Sequence, residues 1–144
     1  MSPELERVLG DAGWVPGRRV DTSVWRERME ADGFRFHEVA ESFLGEFGGL
    51  VFGHGGPGVT RAREPFEFDP ELLVGESDRF TEWGAELSRT FAPVGELDLG
   101  RGGILGLDEF GELYVIEARV ATFGRLPQAL ENLALGFMPV TVVD

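Results

Sequence analysis

Residues 36–52 most constrain the fold, because their apolar pattern changes from helical to extended across two adjacent glycines. Apolar residues recur first at spacings of three and four, which places them on one face of a helix. This stripe consists of Phe36, Val39, Ala40, Phe43, Leu44 and Phe47. Gly48 is positioned to end the helix in a left-handed conformation, and Leu50 to Phe52 would follow as a short buried strand. The segment therefore predicts a helix that leads through a glycine pair into a sheet.

Two helices are predicted before this segment. Ser2 can cap the first helix, and Gly13 would end it. Residues 14–20 contain a Pro-Gly turn and favour an extended arm. A cap at Asp21 or Thr22 would begin the second helix. The predicted inward residues of that helix are Val24, Trp25 and Met29.

The middle of the chain predicts a strand followed by a helix. Phe66 and Phe68 alternate around a glutamate, which is typical of a half-buried strand. Asp69 and the proline after it would open a helical turn, and Ser77 or Asp78 would cap a longer helix. The apolar stripe predicted for this helix is Phe80, Trp83, Leu87 and Phe91.

The C-terminal part predicts a hairpin and a last helix. Residues 104–107 and 113–117 are apolar runs separated by a turn at residues 109–111. This connection is too short for a parallel crossover, so the two strands should be antiparallel. Residues 126–135 predict an amphipathic helix, and a short valine-rich tail follows. Helices followed by hairpin strands indicate an α+β fold, with N-terminal helices packed on a mostly antiparallel sheet.

Several segments, in this order, resemble one known family. They are residues 12–22 (AGWVPGRRVDT), 43–50 (FLGEFGGL), 64–76 (EPFEFDPELLVGE), and 105–115 (LGLDEFGELYV) with 121–136 (ATFGRLPQALENLALG). Together they resemble the third subgroup of the SUKH superfamily of bacterial immunity proteins. The resemblance implies a single SUKH-like domain over residues 1–144. It also implies a protein that binds and neutralises a cognate toxin by stoichiometric occlusion, with nucleases or nucleic-acid deaminases as the suggested targets.

The composition limits the kinds of chemistry open to the chain. A length of 144 residues with 42% hydrophobic content suits one globular domain. The sequence shows no signal peptide and no apolar run near the roughly 20 residues of a membrane span, so we expect a cytoplasmic protein. It contains no cysteine and no lysine. These absences exclude thiolate metal sites, a P-loop lysine and Schiff-base catalysis.

The net charge of −13 is unevenly distributed along the chain. Residues 64–117 contain 14 acidic residues and three arginines. Such a field repels nucleic acid and membrane surfaces and attracts basic partners, although acidity that serves only solubility remains an alternative. We predict that a toxin with a basic active site contacts the acids in or near loops of this region. The predicted contact residues are Glu64, Glu67, Asp69, Glu71, Glu76, Asp98, Asp108 and Glu109.

Residues 54–58 (HGGPG) are similar to the oxyanion-hole loop of some α/β-hydrolases. That chemistry also needs a G-x-S-x-G nucleophile elbow, and none of the five serines lies in one. We therefore predict a loop without a catalytic role.

Residues 37–41 (HEVAE) are similar to a zincin helix in which Glu41 replaces the second histidine. His37 and Glu41 lie one turn apart, and His54 or a distant carboxylate would have to supply a third ligand. The alternative is a solvent-facing helix start, which we prefer, so we predict no metal and no cofactor. The carboxylates Asp98, Asp108, Glu109 and Glu112 near turns are also not expected to be desolvated as a glycosidase requires. We therefore expect no enzymatic activity.

Two alternatives to toxin immunity follow from the sequence. One is a protein-interaction scaffold or regulatory module without a toxin partner, as some eukaryotic relatives of the superfamily suggest. The other is a small hydrolase that would use the loop at residues 54–58 or a metal at His37. Genome context separates the first alternative from immunity, because an immunity gene should lie beside a toxin gene.

Overall fold

Strands that follow one another in the chain also lie side by side in space. The computed structural model describes residues 1–53 and 57–143, and within them seven strands form one antiparallel sheet in sequence order. The strands are β1 (Val51–Phe52), β2 (Phe66–Glu67), β3 (Ala92–Leu97), β4 (Gly103–Leu107), β5 (Glu112–Ile116), β6 (Val120–Arg125) and β7 (Val140–Val143). β1 and β7 are therefore the two edges of the sheet.

Five α-helices accompany the sheet in the described part of the chain. They are α1 (Pro3–Asp11), α2 (Ser23–Ala31), α3 (Glu38–Phe47), α4 (Ser77–Leu87) and α5 (Gln128–Leu135). Short 3-10 turns occupy Pro70–Leu73 and Asp98–Gly100. Three helices before the sheet, with the remaining two between strands, confirm the predicted α+β fold.

The helix caps agree with the prediction at α1 and differ from it at α4. The Ser2 hydroxyl accepts a hydrogen bond from the Leu5 amide at 3.1 Å, as the sequence predicted. At α4 the prediction of Ser77 or Asp78 was wrong, because Glu76 occupies the cap position and makes no side-chain capping bond.

The joint after α3 has the predicted role but a different geometry. Gly48 is extended, with φ −60° and ψ 140°, and Gly49 takes the left-handed conformation, with φ +85°. A Cβ on Gly48 would lie 2.4 Å from the Trp25 ring, so glycine is required there for close packing rather than for a positive φ. Arg18 closes the end of the helix by donating to the carbonyl oxygens of Glu46 at 2.6 Å and Gly48 at 2.9 Å.

Aromatic side chains from helices and strands form much of the core. Phe43 of α3 meets Phe68 edge to face, with ring centroids 5.0 Å apart. Phe52 and Phe66 stack across β1 and β2 at 4.3 Å. Phe80 of α4 packs close to Gly106 in β4, where a Cβ would lie 3.2 Å from its ring. The predicted stripes on α3 and α4 therefore supply core residues.

Two predictions of inward residues and one of helix membership require correction. Val24 is 55% exposed, and Met29 is the residue of α2 that is fully buried. Val51 is 54% exposed, because it lies on the edge strand and points away from the buried Phe52. Phe91 is buried but follows the end of α4, which stops at Leu87. The sequence also failed to indicate β3 and β6, and the valine-rich tail proved to contain strand β7.

Candidate partner-binding surface

Two glutamates face each other across β2 and β3. Glu67 is the register partner of Glu96, and Val51 of β1 is the register partner of Glu67. Side chains of register partners lie on the same face of a sheet, so these three residues form a row. Asp69 lies close enough to add to the negative charge at Glu96. Within the described residues, the carboxylates of Glu67, Asp69 and Glu96 have no arginine within 4.0 Å.

The environment of Glu96 disfavours its ionised form. Desolvation raises its pKa above the usual value, and the neighbouring charges of Glu67 and Asp69 raise it further. Like charges placed directly opposite each other destabilise a sheet. A cation supplied by another molecule would relieve this repulsion. Five other acids of residues 64–117 already have an arginine partner, namely Glu64, Glu71, Glu76, Asp98 and Asp108.

A strained turn holds an apolar side chain beside the glutamates. Asp98, Leu99 and Gly100 have φ values of +51°, +56° and +87° in succession. A left-handed conformation costs a non-glycine residue about 1–2 kcal/mol. The turn is held by the Asp98 amide, which donates to the Pro65 carbonyl oxygen at 2.6 Å. Leu99 is 72% exposed as a result, and it borders a small crevice shared with Val51 and the two glutamates.

These features together define one surface, which we call the edge surface. Its residues are Val51, Glu67, Asp69, Glu96 and Leu99. It combines unpaired carboxylates with two exposed apolar side chains, which is a composition suited to a basic partner that also buries apolar area. Strained backbone is often found at functional sites, and the turn at Leu99 is consistent with that pattern.

The structure divides the eight predicted contact residues among several places. Glu67 and Asp69 lie on the edge surface. Glu64 and Asp98 border a neighbouring polar concavity of about 400 Å³, where Glu64 pairs with Arg61 and Asp98 lies 3.5 Å from Arg101. These two carboxylates are therefore partly neutralised within the protein.

Glu71 and Glu76 are neutralised in the same way near α2 and α4. Glu71 accepts from Arg28 at 2.6 Å, and Glu76 lies 3.3 Å from Arg79. Pairing of this kind leaves less charge available to attract a partner. The acidic run in the sequence is thus not one continuous acidic face.

Asp108 must be removed from the predicted contacts, because its side chain is completely buried. One carboxylate oxygen accepts from the Phe110 and Glu112 amides, both at 2.9 Å. The other accepts from the Tyr114 hydroxyl at 3.1 Å and lies 3.3 Å from Nε of Arg89. Asp108 therefore organises the turn between β4 and β5 and is not available to a partner.

The neighbours of Asp108 have shifted pKa values for identifiable reasons. Burial raises the pKa of Tyr114, and the charges of Asp108 and Glu112 raise it further. Desolvation acts to raise the pKa of Glu109, but hydrogen bonds, mainly from Thr90, lower it overall. The Thr90 amide donates to Glu109 at 3.0 Å, which fixes this predicted contact residue against the chain that follows α4.

Sequence reasoning did not single out Phe110, which is 56% exposed at the tip of this turn. The guanidinium of Arg89 lies 5.2 Å from its ring centroid, and that of Arg125 lies at 5.9 Å. Cation–π contacts hold the ring in place while leaving it accessible. The isolated aromatic in a turn sequence was the only available signal.

His37 and Glu41 have structural partners. Nδ1 of His37 accepts from the Ala40 amide at 3.2 Å, and Nε2 lies 3.1 Å from the Thr90 carbonyl oxygen. Glu41 pairs with Arg26 at 2.7 Å. No cluster of three or more potential metal ligands occurs among residues 1–53 and 57–143. Residues 54–56 of the predicted HGGPG loop lie outside the described residues.

Likeness to known proteins places this chain in a family. The helices of the described ranges include none that is long and apolar enough to cross a membrane. Neither the curated proteins nor the solved structures gave a match. A family model described as SUKH-3 immunity protein matches residues 1–136, which is nearly the whole chain. The chain therefore belongs to the SUKH-3 immunity protein family.

Proposed function

We propose that this protein binds a cognate toxin in the cytoplasm and neutralises it by stoichiometric occlusion, with the edge surface as the contact. Membership of an immunity family supports toxin binding. The observation that carries the choice of surface is the in-register pair Glu67 and Glu96, whose repulsion is not offset by any arginine of the described chain. A partner cation would offset it.

The edge surface would engage a basic toxin in two ways. An arginine or lysine placed between Glu67 and Glu96 would make charge-assisted hydrogen bonds with both carboxylates. Val51 and Leu99, exposed on either side, would bury apolar area against the toxin. The charge would favour rapid encounter, and the apolar contacts would slow dissociation.

A toxin that acts on nucleic acid fits this surface best. Such a toxin needs a basic site for phosphate groups, and opposed carboxylates can occupy that site in their place. Electrostatic steering toward it could raise the association rate by roughly 10–1000-fold at low salt. Occupation of the basic site would exclude the substrate without any catalytic step by the immunity protein.

Co-expression with the product of the adjacent toxin gene tests the function. The toxin alone should kill cells, and the intact protein should restore growth. The double charge reversal Glu67→Arg and Glu96→Arg should abolish protection and lower affinity by about 100-fold. Glu82→Arg with Glu86→Arg is the matched control, because both residues are exposed on α4 and the net charge changes equally.

The two substitution pairs separate three outcomes. Loss of protection only in the Glu67 and Glu96 variant supports the edge surface. Equal loss in both variants would show that overall charge is sufficient and would overturn the choice of surface. Cells killed equally with and without the intact protein would overturn toxin neutralisation itself.

A further inference from the structure

A second concave surface lies between α1, α3 and the start of α5, and it shares no residue with the edge surface. Its volume is about 720 Å³, which is within the range of sites that hold ligand side chains or small molecules. Its accessible apolar lining consists of Met1, Val39, Leu126 and Pro127, and the buried side chains of Leu5, Phe43, Phe47 and Leu130 form its floor. We call this surface the helical groove.

One wall of the helical groove runs along the whole of α3. The lining residues on this helix occupy positions 38, 39, 42, 43, 46 and 47, which is the spacing of a single helix face. α3 has ten residues, and at 1.5 Å per residue it is about 15 Å long. The groove therefore has the length of about three helical turns, and its walls are themselves helices.

The charged side chains of the helical groove are all acidic. They are Glu38, Glu46 and Glu131, and no arginine of the described ranges lines the groove. Glu46 accepts from Nε1 of Trp14 at 3.1 Å, and Glu131 accepts from the Ser2 amide at 2.9 Å. These neutral donors hold the two carboxylates in place. Hydrogen bonds from Ser2 lower the pKa of Glu131, and the positive charge of the Met1 amino group lowers it further.

We infer that the helical groove binds an amphipathic helix of a partner protein, with apolar residues on one face and arginine or lysine beside them. The apolar side chains of the partner would pack on the apolar lining of the groove, and the flanking cations would meet Glu38, Glu46 and Glu131. This is the helix-in-groove mode of recognition. The acidic rim disfavours an acidic helix, a nucleic acid or an anionic membrane. The inference does not depend on toxin neutralisation.

The test uses the full-length protein and a synthetic peptide of about four turns, with leucine and phenylalanine at helical spacing and arginines flanking them. Binding is followed by calorimetry and by NMR shifts of the Val39 and Leu130 methyl groups. Ser42→Trp should fill the groove and weaken binding by about tenfold, because Ser42 is exposed and lines it. Glu38→Arg should weaken binding by about fivefold through repulsion at the rim.

Controls match both the variants and the peptide. Ala85→Trp and Glu86→Arg make the same kinds of change at exposed positions of α4, and both should leave binding unchanged. Two further peptides replace the arginines with glutamates or scramble the apolar spacing, and both should bind at least about tenfold more weakly. Thermal unfolding verifies that each variant is folded.

Saturable binding that needs the arginines and the helical spacing, and that Ser42→Trp weakens, supports the inference. Equal binding of the acidic or scrambled peptide would overturn it, as would shifts confined to residues outside the groove. No binding at millimolar peptide would overturn it as well. The peptide experiment contains no toxin. Its result is therefore independent of whether the edge surface is found to bind one.

Discussion

Glu67 on β2 and Glu96 on β3 are direct cross-strand partners although both are acidic. Such a pair weakens a sheet by roughly 0.2–1 kcal/mol. Glu96→Gln should therefore increase the free energy of unfolding near neutral pH by an amount in this range. Urea unfolding at low and high salt measures the gain, which should shrink as salt screens the repulsion.

The increase in the free energy of unfolding caused by Glu96→Gln should depend on pH, because folding raises the pKa of Glu96. The folded protein then binds the proton more tightly than the unfolded chain does, so ionisation of Glu96 lowers stability as pH rises through its folded pKa. The advantage of Glu96→Gln should thus appear above that pKa and vanish below the ordinary glutamate value of about 4.3. Glu86→Gln, at an exposed position of α4, is the control and should show neither effect.

Leu99→Gly should change stability and toxin affinity in opposite directions. Leu99 has a φ of +56°, which glycine adopts without strain, so the free energy of unfolding should rise by about 0.5–1 kcal/mol. Loss of the exposed side chain should weaken toxin binding by about tenfold or more. Chemical denaturation and surface plasmon resonance measure the two effects. Asparagine also tolerates a positive φ, so Leu99→Asn should weaken toxin binding to the same extent. If both variants keep the affinity of the intact protein, Leu99 is not part of the interface.

Two glycines of the α3 region should respond oppositely to alanine. A Cβ at position 48 would lie 2.4 Å from the Trp25 ring and 2.5 Å from the Leu44 carbonyl oxygen, so Gly48→Ala should cost about 1–3 kcal/mol. A Cβ on Gly45, inside α3, would meet no described atom within 4 Å outside its own helical turn, so Gly45→Ala should gain about 0.5–1 kcal/mol. Thermal denaturation compares them. Similar stabilities for the two variants would contradict the close contact with Trp25.

Asp108→Ala should be the most destabilising of these substitutions, at about 3–5 kcal/mol, because it leaves buried donors and Arg89 without their carboxylate. Tyr114→Phe removes only one neutral donor to Asp108 and should cost about 1 kcal/mol. Equilibrium unfolding of both single variants and the double variant gives the coupling energy. An Asp108→Ala cost no larger than that of Tyr114→Phe would show that the buried charge has little structural role.

The helices were predictable because their apolar residues recur at helical spacing over several turns, as in α3 and α4. Strand β3 was not, since Pro93 and Gly95 interrupt the usual strand pattern. The structure shows why these residues are tolerated there. A register shift falls between them, and a Cβ on Gly95 would lie 1.9 Å from the Glu67 carbonyl oxygen. Such a close approach of two backbones leaves no periodic signal in the sequence.

Because strand β3 was not predicted, part of the candidate site was also missed. Glu96 faces Glu67 only because β3 pairs with β2, so its role could not be predicted before that strand was known. The density of acids did indicate a negatively charged region, but charge density does not distinguish Glu67, which lacks an arginine partner within the described residues, from Glu71, which has one at Arg28. It also gave no sign that Asp108 is buried, because burial there depends on hydrogen bonds formed within the folded turn.

The sequential order of the strands has a consequence for how the molecule folds. β4, β5 and β6 are joined by short turns, so their hairpins close with little loss of chain entropy and can form early. Between β2 and β3 lie a 3-10 turn and the whole of α4, so their pairing must close a much longer loop. In refolding of the complete chain we therefore expect the two glutamates of the edge surface to meet late. The hairpins of β4, β5 and β6 should then form before the surface that we propose for the partner.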